Sequence, residues 1–409
     1  MNIQQADQLA MERIAPAVKE AEEIAFYTTS RVLEAFRAER VSETHFAGST
    51  GYGYGDRGRD TLDALFARAL EAEDCLVRPQ FISGTHTLNV ALFGVLRPGD
   101  VMLAVTGKPY DTLDEVIGLA ENKGEGSLKD FGIGYSQIDL KDGAVDFDAL
   151  KEALKDPAIR MVFIQKSKGY QNRPTLSSAE IGKVAQFTHE QRSDVIVMVD
   201  NCYGEFCEMH EPTYYGADMM AGSLIKNPGG GLAPTGGYIA GRKDLIELCS
   251  YRLTSPGIGR ESGCTLSILR ELYQGLFLAP HTVLQAKKTA IYAAALFEQI
   301  GCEVSPTYAE PRYDIIQTVQ TGSAEGLLAF CKGIQSGSPV DSFVTPEAWE
   351  MPGYDAPVVM AAGAFVMGAS IELSADGPMK PPFTAFMQGG LTFESGRLGI
   401  LRAFEEMTK

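Results

Sequence analysis

Apolar residues recur at helical spacing from residue 7 to 40, where Leu9, Ile14, Val18, Ile24 and Val32 stand among Glu, Lys and Arg and predict one long charged helix. Phe46 to Asp60 is rich in glycine and reads as a loop. Residues 61–74 return to a helical pattern. Leu76 to Phe81 predicts a short strand leading through Ser83-Gly84-Thr85 into an apolar helix, Leu88 to Leu96. Arg97-Pro98-Gly99-Asp100 then turns the chain into a strand from Val101 to Val105. Strand, small-residue turn, helix and strand make a βαβ unit, which predicts a parallel sheet. Strands are also expected at Met161–Ile164, Val195–Val199 and Gly237–Ala240, with helices beginning near Phe147, Ser177 and Asp244. Short strands that are apolar on both faces and alternate with helices mark a buried parallel sheet.

Ser262 to Gln299 predicts one or two long helices, with a break at His281 after Pro280. After Gly301 the pattern changes to strand-like runs at 302–320 and 355–374, with helices near 323–335 and 396–408. The expected organisation is α/β: an N-terminal helix and loop over 1–60, a large domain over 61–300, and a smaller α+β domain over 301–409. No internal repeat is visible.

Composition narrows the function classes. The formal net charge of −17 argues against a nucleic-acid or anionic-membrane surface, since phosphate contacts need clustered Lys and Arg. No apolar run reaches the length of a membrane span, and the first 17 residues lack the basic start and apolar middle of a secretory signal. The 7 cysteines are scattered without a Cys-x-x-Cys pair, and the 5 histidines form no cluster. A reduced, cytoplasmic protein without a metal is expected.

The chemistry concentrates between Val195 and Gly237. Asp200 closes the apolar run Val195–Val199, which places a carboxylate at the carboxyl end of a central strand, where α/β sheets bind ligands. Its plain alternative is a turn or capping aspartate, since Asn201 and Gly204 follow. Lys226 is the one charge between Asp218 and Arg242, among small and apolar residues, so a generic surface role fits it poorly. A buried acid followed by an isolated lysine suits pyridoxal phosphate: the amine holds the aldehyde as a Schiff base and the carboxylate pairs with the pyridinium nitrogen. Burial and a nearby cation are expected to lower the lysine pKa.

Ser83-Gly84-Thr85, at a strand-to-helix turn, offers N–H groups to a phosphate, although a tight turn with an N-cap serine explains it equally. Ser223 could donate to the same phosphate. Tyr110 is a candidate for stacking on the cofactor ring, or a core aromatic. Lys166 and Lys168 are rival Schiff-base lysines without an upstream strand-end acid. Gly53-x-Gly55-x-x-Gly58 has the form of a dinucleotide fingerprint but lacks the preceding strand and following acid that motif needs.

These residues carry a family resemblance. Gly216-Ala-Asp-Met-Met-Ala-Gly-Ser-Leu-Ile-Lys226 resembles the cofactor-lysine segment of the cystathionine and methionine γ-lyase group, fold type I pyridoxal phosphate enzymes. Gly51-Tyr-Gly-Tyr-Gly55, Val199-Asp-Asn-Cys-Tyr-Gly-Glu-Phe206, Lys226-Asn-Pro-Gly-Gly-Gly231 and Ile371-Glu-Leu-Ser-Ala-Asp-Gly-Pro378 are similar to blocks of the methionine γ-lyase-like family labelled aluminium resistance proteins. The resemblance implies Lys226 as Schiff-base lysine, Asp200 as ring-nitrogen partner, Tyr110 as stacking ring, and Ser83, Gly84, Thr85 and Ser223 at the phosphate. It implies that Tyr54, with Arg57 or Arg59, reaches a neighbouring subunit's phosphate, hence a homodimer or homotetramer with shared sites. The family's substrate-carboxylate arginine falls on Glu372 here, leaving Arg173, Lys380 or Arg397 for that task. The implied activity is β- or γ-elimination on a sulfur-containing amino acid. An aminotransferase or decarboxylase on the same fold, or a non-catalytic stress-response protein, are the alternatives.

Overall fold

The structure, a computed structural model, describes residues 2–119, 124–350 and 356–409; the first residue of the run expected at 355–374 lies outside them. The chain opens on α1 (Ile3–Ala38), whose N-cap Asn2 accepts from the Gln4 N–H. α2 (Arg57–Ala69) starts inside the stretch expected to be loop, because the Asp56 carboxylate caps it by accepting from Arg59 N–H at 2.9 Å. Next come β1 (Asp74–Arg78), α3 (Gly84–Val95), β2 (Val101–Ala104), α4 (Thr112–Ile117), β3 (Gly134–Gln137) and α5 (Phe147–Ala153). β4 (Ile159–Gln165), α6 (Ser178–Gln191), β5 (Ile196–Asp200), β6 (Met219–Ser223), β7 (Gly237–Gly241) and α7 (Lys243–Leu253) complete the large sheet and its cover.

That sheet has seven strands in the order β1-β7-β6-β5-β4-β2-β3. β7 alone runs against the other six. The expected βαβ unit therefore does not join neighbours, since four strands separate β1 from β2. Alternation along the central strands is clean. Val162, Ile164, Val197 and Val199 enter one buried cluster, while Met161, Phe163, Ile196 and Met198 enter another on the opposite face. Both faces are covered, which is why these strands read as continuous apolar runs.

α8 (Leu269–Phe297) runs unbroken through Pro280, against the expected break. Its buried side outweighs the lost backbone bond. A Cβ on Gly275 would stand 2.3 Å from the Gly229 carbonyl, so α8 presses directly on the turn after Lys226. Thr282 Oγ1 donates to the Gly230 carbonyl at 3.2 Å.

The remaining elements are β8 (Val304–Ser305), β9 (Gln317–Gln320), α9 (Ala324–Ser336), β10 (Ala348–Trp349), β11 (Val358–Ala362), β12 (Ser374–Pro378), β13 (Thr384–Gln388) and α10 (Phe393–Met407). They build a six-stranded antiparallel sheet, β10-β11-β12-β13-β9-β8, packed against α9. Residues 363–373, expected as strand, form turns between β11 and β12. α1 lies along α8 and reaches both cores: Ala6, Ala10 and Ile14 join the small sheet's cluster, Val32 and Ala35 the large one's.

Candidate active site

The carboxyl ends of β4, β5 and β6 meet at one level. Gln165 pairs with Asp200, and Asp200 with Ala221. β6 carries the chain to Lys226 through a turn in which Lys226 N–H donates to the Ser223 carbonyl at 3.3 Å. Gly222 must be glycine: a Cβ there would lie 2.4 Å from Glu205 Oε1 and 2.7 Å from the Tyr238 ring.

Around these ends lies a cavity of ≈220 Å³, and Gly84, Thr85, Tyr110, Asp200 and Lys226 all line it. Asp200 is buried, and its Oδ1 accepts from Cys202 N–H at 3.1 Å. Burial pushes its carboxyl above the ordinary range, with Lys226 pulling back. Asp200 and Lys226 make no ion pair with each other among the described residues. The Lys226 Nζ instead stands 4.2 Å from the centroid of the Tyr203 ring. Burial works against the ammonium, but the acidic side chains Cys202, Tyr203, Asp200 and Glu205 outweigh it and raise the pKa. The expected lowering is therefore not met, because acids rather than a cation surround this lysine.

α3 begins at the cavity wall. Ser83 caps it, accepting from His86 N–H at 3.0 Å through Oγ and from Thr87 N–H through its carbonyl. Its hydroxyl oxygen is thus engaged as an acceptor, and neither Ser83 nor Ser223 is among the cavity's lining residues, whereas the N–H groups of Gly84 and Thr85 find no acceptor among the described residues. Thr85 shares a 2.8 Å hydrogen bond with Thr112. Ser223 is buried beside Gly84, and its Oγ has no hydrogen-bond partner among the described residues. An orphaned hydroxyl next to two helix-terminal N–H groups suits a phosphate. A buried carboxylate at the other wall suits a cationic ring nitrogen. These residues fit pyridoxal phosphate.

Other expected site residues lie elsewhere. Tyr54, expected at a neighbouring subunit's phosphate rather than in this cavity, is 60% exposed and stacks on Tyr52 at 5.4 Å. Arg59 is buried, donating to the Gly53 and Gly263 carbonyls and pairing with Asp60. Arg397 pairs with Asp7 through two hydrogen bonds, of 2.8 and 2.6 Å, between α10 and α1. Arg173 donates to the carbonyls of Pro174, Gln165 and Ser167 and to Gln171 Oε1, and burial lowers its guanidinium to about 10. Lys380 is exposed and lines a neighbouring cavity of ≈190 Å³ that shares Tyr110, Gln165 and Gly169 with the first. Glu372 is buried, and its carboxylate accepts from the N–H groups of Phe365 and Val366 at 2.9 and 3.0 Å. It anchors a loop. Lys166 pairs with Glu208, and Lys168 bonds Ser305; neither lines the Asp200 cavity.

Among the cavity residues that escaped the sequence reading are Gln165, Tyr203 and Ser370. Gln165 Oε1 accepts from the Tyr110 backbone N–H at 2.6 Å and so ties the main chain at Tyr110 to the end of β4. Tyr203 and Ser370, 167 residues apart, are joined by a 3.1 Å hydrogen bond between their hydroxyls. Tyr203 stands three residues after Asp200, next to Gly204, and that proximity was its only sequence signal. Ser370 had none.

A methionine γ-lyase family model matches residues 3–408. The Bacillus subtilis protein YnbB is 53% identical over 395 residues, covering 96% of this chain and 94% of that protein. A solved structure of a carbon-sulfur lyase involved in aluminium resistance, from Clostridium novyi, superposes with a TM-score of 0.95 at 51% identity, covering 98% of this chain and 95% of the other. L-methionine γ-lyase of Pseudomonas putida is 27% identical over 228 residues, about half of each chain (54% and 50%).

Proposed function

The chain belongs to the methionine γ-lyase family, and from that premise we propose that it is a pyridoxal phosphate-dependent carbon-sulfur lyase that releases a thiol from a sulfur-containing amino acid. Its fold is the fold type I fold of such enzymes. One observation carries the reading: Asp200 and Lys226 face the same cavity as the open N-terminus of α3. When bound, the cofactor supplies an electron sink that acidifies the C–H beside the substrate amino group.

The chain's own groups divide the remaining work. The N–H groups of Gly84 and Thr85 and the Ser223 hydroxyl hold the phosphate. Asp200 would pair with the ring nitrogen, which would offset the cost of burying its carboxylate. Tyr110 would lie beside the ring. Lys226 would hold the cofactor through its amine, and that amine, when free, would serve as the base that takes a proton from the substrate and returns it. Arg397 is engaged by Asp7 and Arg173 by backbone carbonyls, so Lys380 is the one of the three expected cations whose side chain makes no hydrogen bond or ion pair among the described residues, and it lines the neighbouring cavity. We assign it the substrate carboxylate. The exposed Tyr52–Tyr54 pair supports a shared-site homodimer or homotetramer, as contact to a second copy.

The test is direct. The purified protein should absorb near ~420 nm, the range of a lysine-bound cofactor, and Lys226→Ala should abolish that band and turnover. Cysteine, cystathionine and methionine are offered in turn, and released thiol and keto acid are measured. Amino-group transfer without thiol release would make the protein an aminotransferase instead.

A further inference from the structure

Tyr203 occupies an unusual position for an aromatic residue. Its φ is +73°, in the left-handed region that favours glycine and asparagine. Such conformations persist where surrounding contacts over-determine them, and they concentrate at functional sites. Here the contacts are identifiable. The hydroxyl of Tyr203 donates at 3.1 Å to Oγ of Ser370, which lies in the turns between β11 and β12. The ring face receives Lys226 Nζ at 4.2 Å. Tyr203, Ser370, Asp200 and Lys226 all line the same cavity. No hydrogen bond or ion pair holds that ammonium among the described residues, so the ring is its nearest defined partner.

We propose that Tyr203 is the positioning residue for Lys226, its ring face holding the lysine amine whenever that amine is not bonded to another group, and its hydroxyl, through Ser370, fixing the ring. This rests on the lyase reading, in which Lys226 must leave its covalent partner and return once per turnover. An amine free to swing into solvent would have to find its position again each cycle. An amine seated on an aromatic face has one place to wait. The charged and titratable groups facing the amine are Asp200, Cys202, Tyr203 and Glu205. Only the tyrosine offers a π face, and that face favours the ammonium over the neutral amine.

The inference is tested on the full chain, freed of bound aldehyde with hydroxylamine. Pyridoxal phosphate is added across a pH series, the adduct is trapped with borohydride, and peptide mapping quantifies modification at Lys226. The midpoint of rate against pH reports the acidity of the Lys226 amine. Tyr203→Phe keeps the ring and should leave the midpoint within about threefold of wild type in acidity constant. Tyr203→Asn suits the left-handed backbone but lacks the ring, and should lower the midpoint by about half to one pH unit, a three- to tenfold change. Tyr203→Met fills the space without a π face and should move with the Asn variant, which covers a folding failure of either. A purely structural role would lower the melting temperature without moving the midpoint. Unmoved midpoints in ring-less variants that melt cooperatively overturn the inference alone. Absence of any adduct at Lys226 in the wild type overturns the lyase reading, and this inference with it.

Discussion

Tyr238 donates its hydroxyl to Glu205 Oε1 at 2.8 Å, and both groups press against the bare backbone of Gly222. Glu205 is fully buried, and burial pushes its carboxyl up to about 8. A carboxyl raised in the folded state keeps a proton that the unfolded chain has released. Between the ordinary glutamate range and about pH 8 the fold therefore binds more protons and loses stability as pH rises. Denaturant unfolding at pH 6 and pH 9 should show a loss of about 2–4 kcal/mol in the wild type. Glu205→Gln should flatten that dependence. Equal slopes in the two proteins would mean that Glu205 ionises normally.

Asp200→Asn preserves shape and removes charge. Turnover should fall about 10²–10³-fold, the scale of losing one preorganised electrostatic partner. In the cofactor-free protein the melting temperature should hold or rise, because a buried carboxylate is no longer desolvated. A variant that keeps wild-type turnover would remove Asp200 from the chemistry.

The cations separate by what already holds them. Lys380→Ala should raise KM at least about tenfold, the loss of about 1.4 kcal/mol of charge pairing. Arg397→Ala should leave KM within about twofold and lower the melting temperature, since Arg397 ties α10 to α1 through Asp7. The reverse pattern, KM raised in the arginine variant alone, would relocate the carboxylate site.

Glu372→Ala strands the N–H groups of Phe365 and Val366. Each unpaired group costs about 1–3 kcal/mol if it stays buried, so the loop should open instead. Limited proteolysis should cut at 363–370 faster than in wild type while the cofactor band is retained. Unchanged cleavage would show that the loop is held by its packing.

The central sheet was readable wherever burial is two-sided, since Met161–Ile164 and Val195–Val199 advertise it in every residue. β6 escaped because close approach to Glu205 and Tyr238 demands Gly222 and leaves a strand without β-formers. β3 escaped as a short, half-exposed edge of Gly, Tyr, Ser and Gln. Pro280 misled because local propensity yields to packing on the Gly229–Gly230 turn. In the site, Asp200, Lys226, Gly84, Thr85 and Tyr110 were visible as residue types at element ends, and they come together in space. Tyr203–Ser370 was not visible: a left-handed tyrosine and a contact between distant segments leave no periodic trace.

The path of α1 imposes an order on biosynthesis. Ala6, Ala10 and Ile14 are buried with Leu296, Phe297, Ile400 and Phe404, and Asp7 bonds both Tyr292 and Arg397. The turns around Ala6 to Ile14 thus lack their final neighbours until α10 has been synthesised. At roughly 5–20 residues per second that interval lasts on the order of 20–80 seconds. Throughout it the nascent chain carries an unpaired apolar stripe along α1. The stripe is alanine-rich and flanked by Glu12, Arg13, Lys19 and Glu20. Small side chains between charges make a poor nucleus for association between chains, so the helix can wait without aggregating.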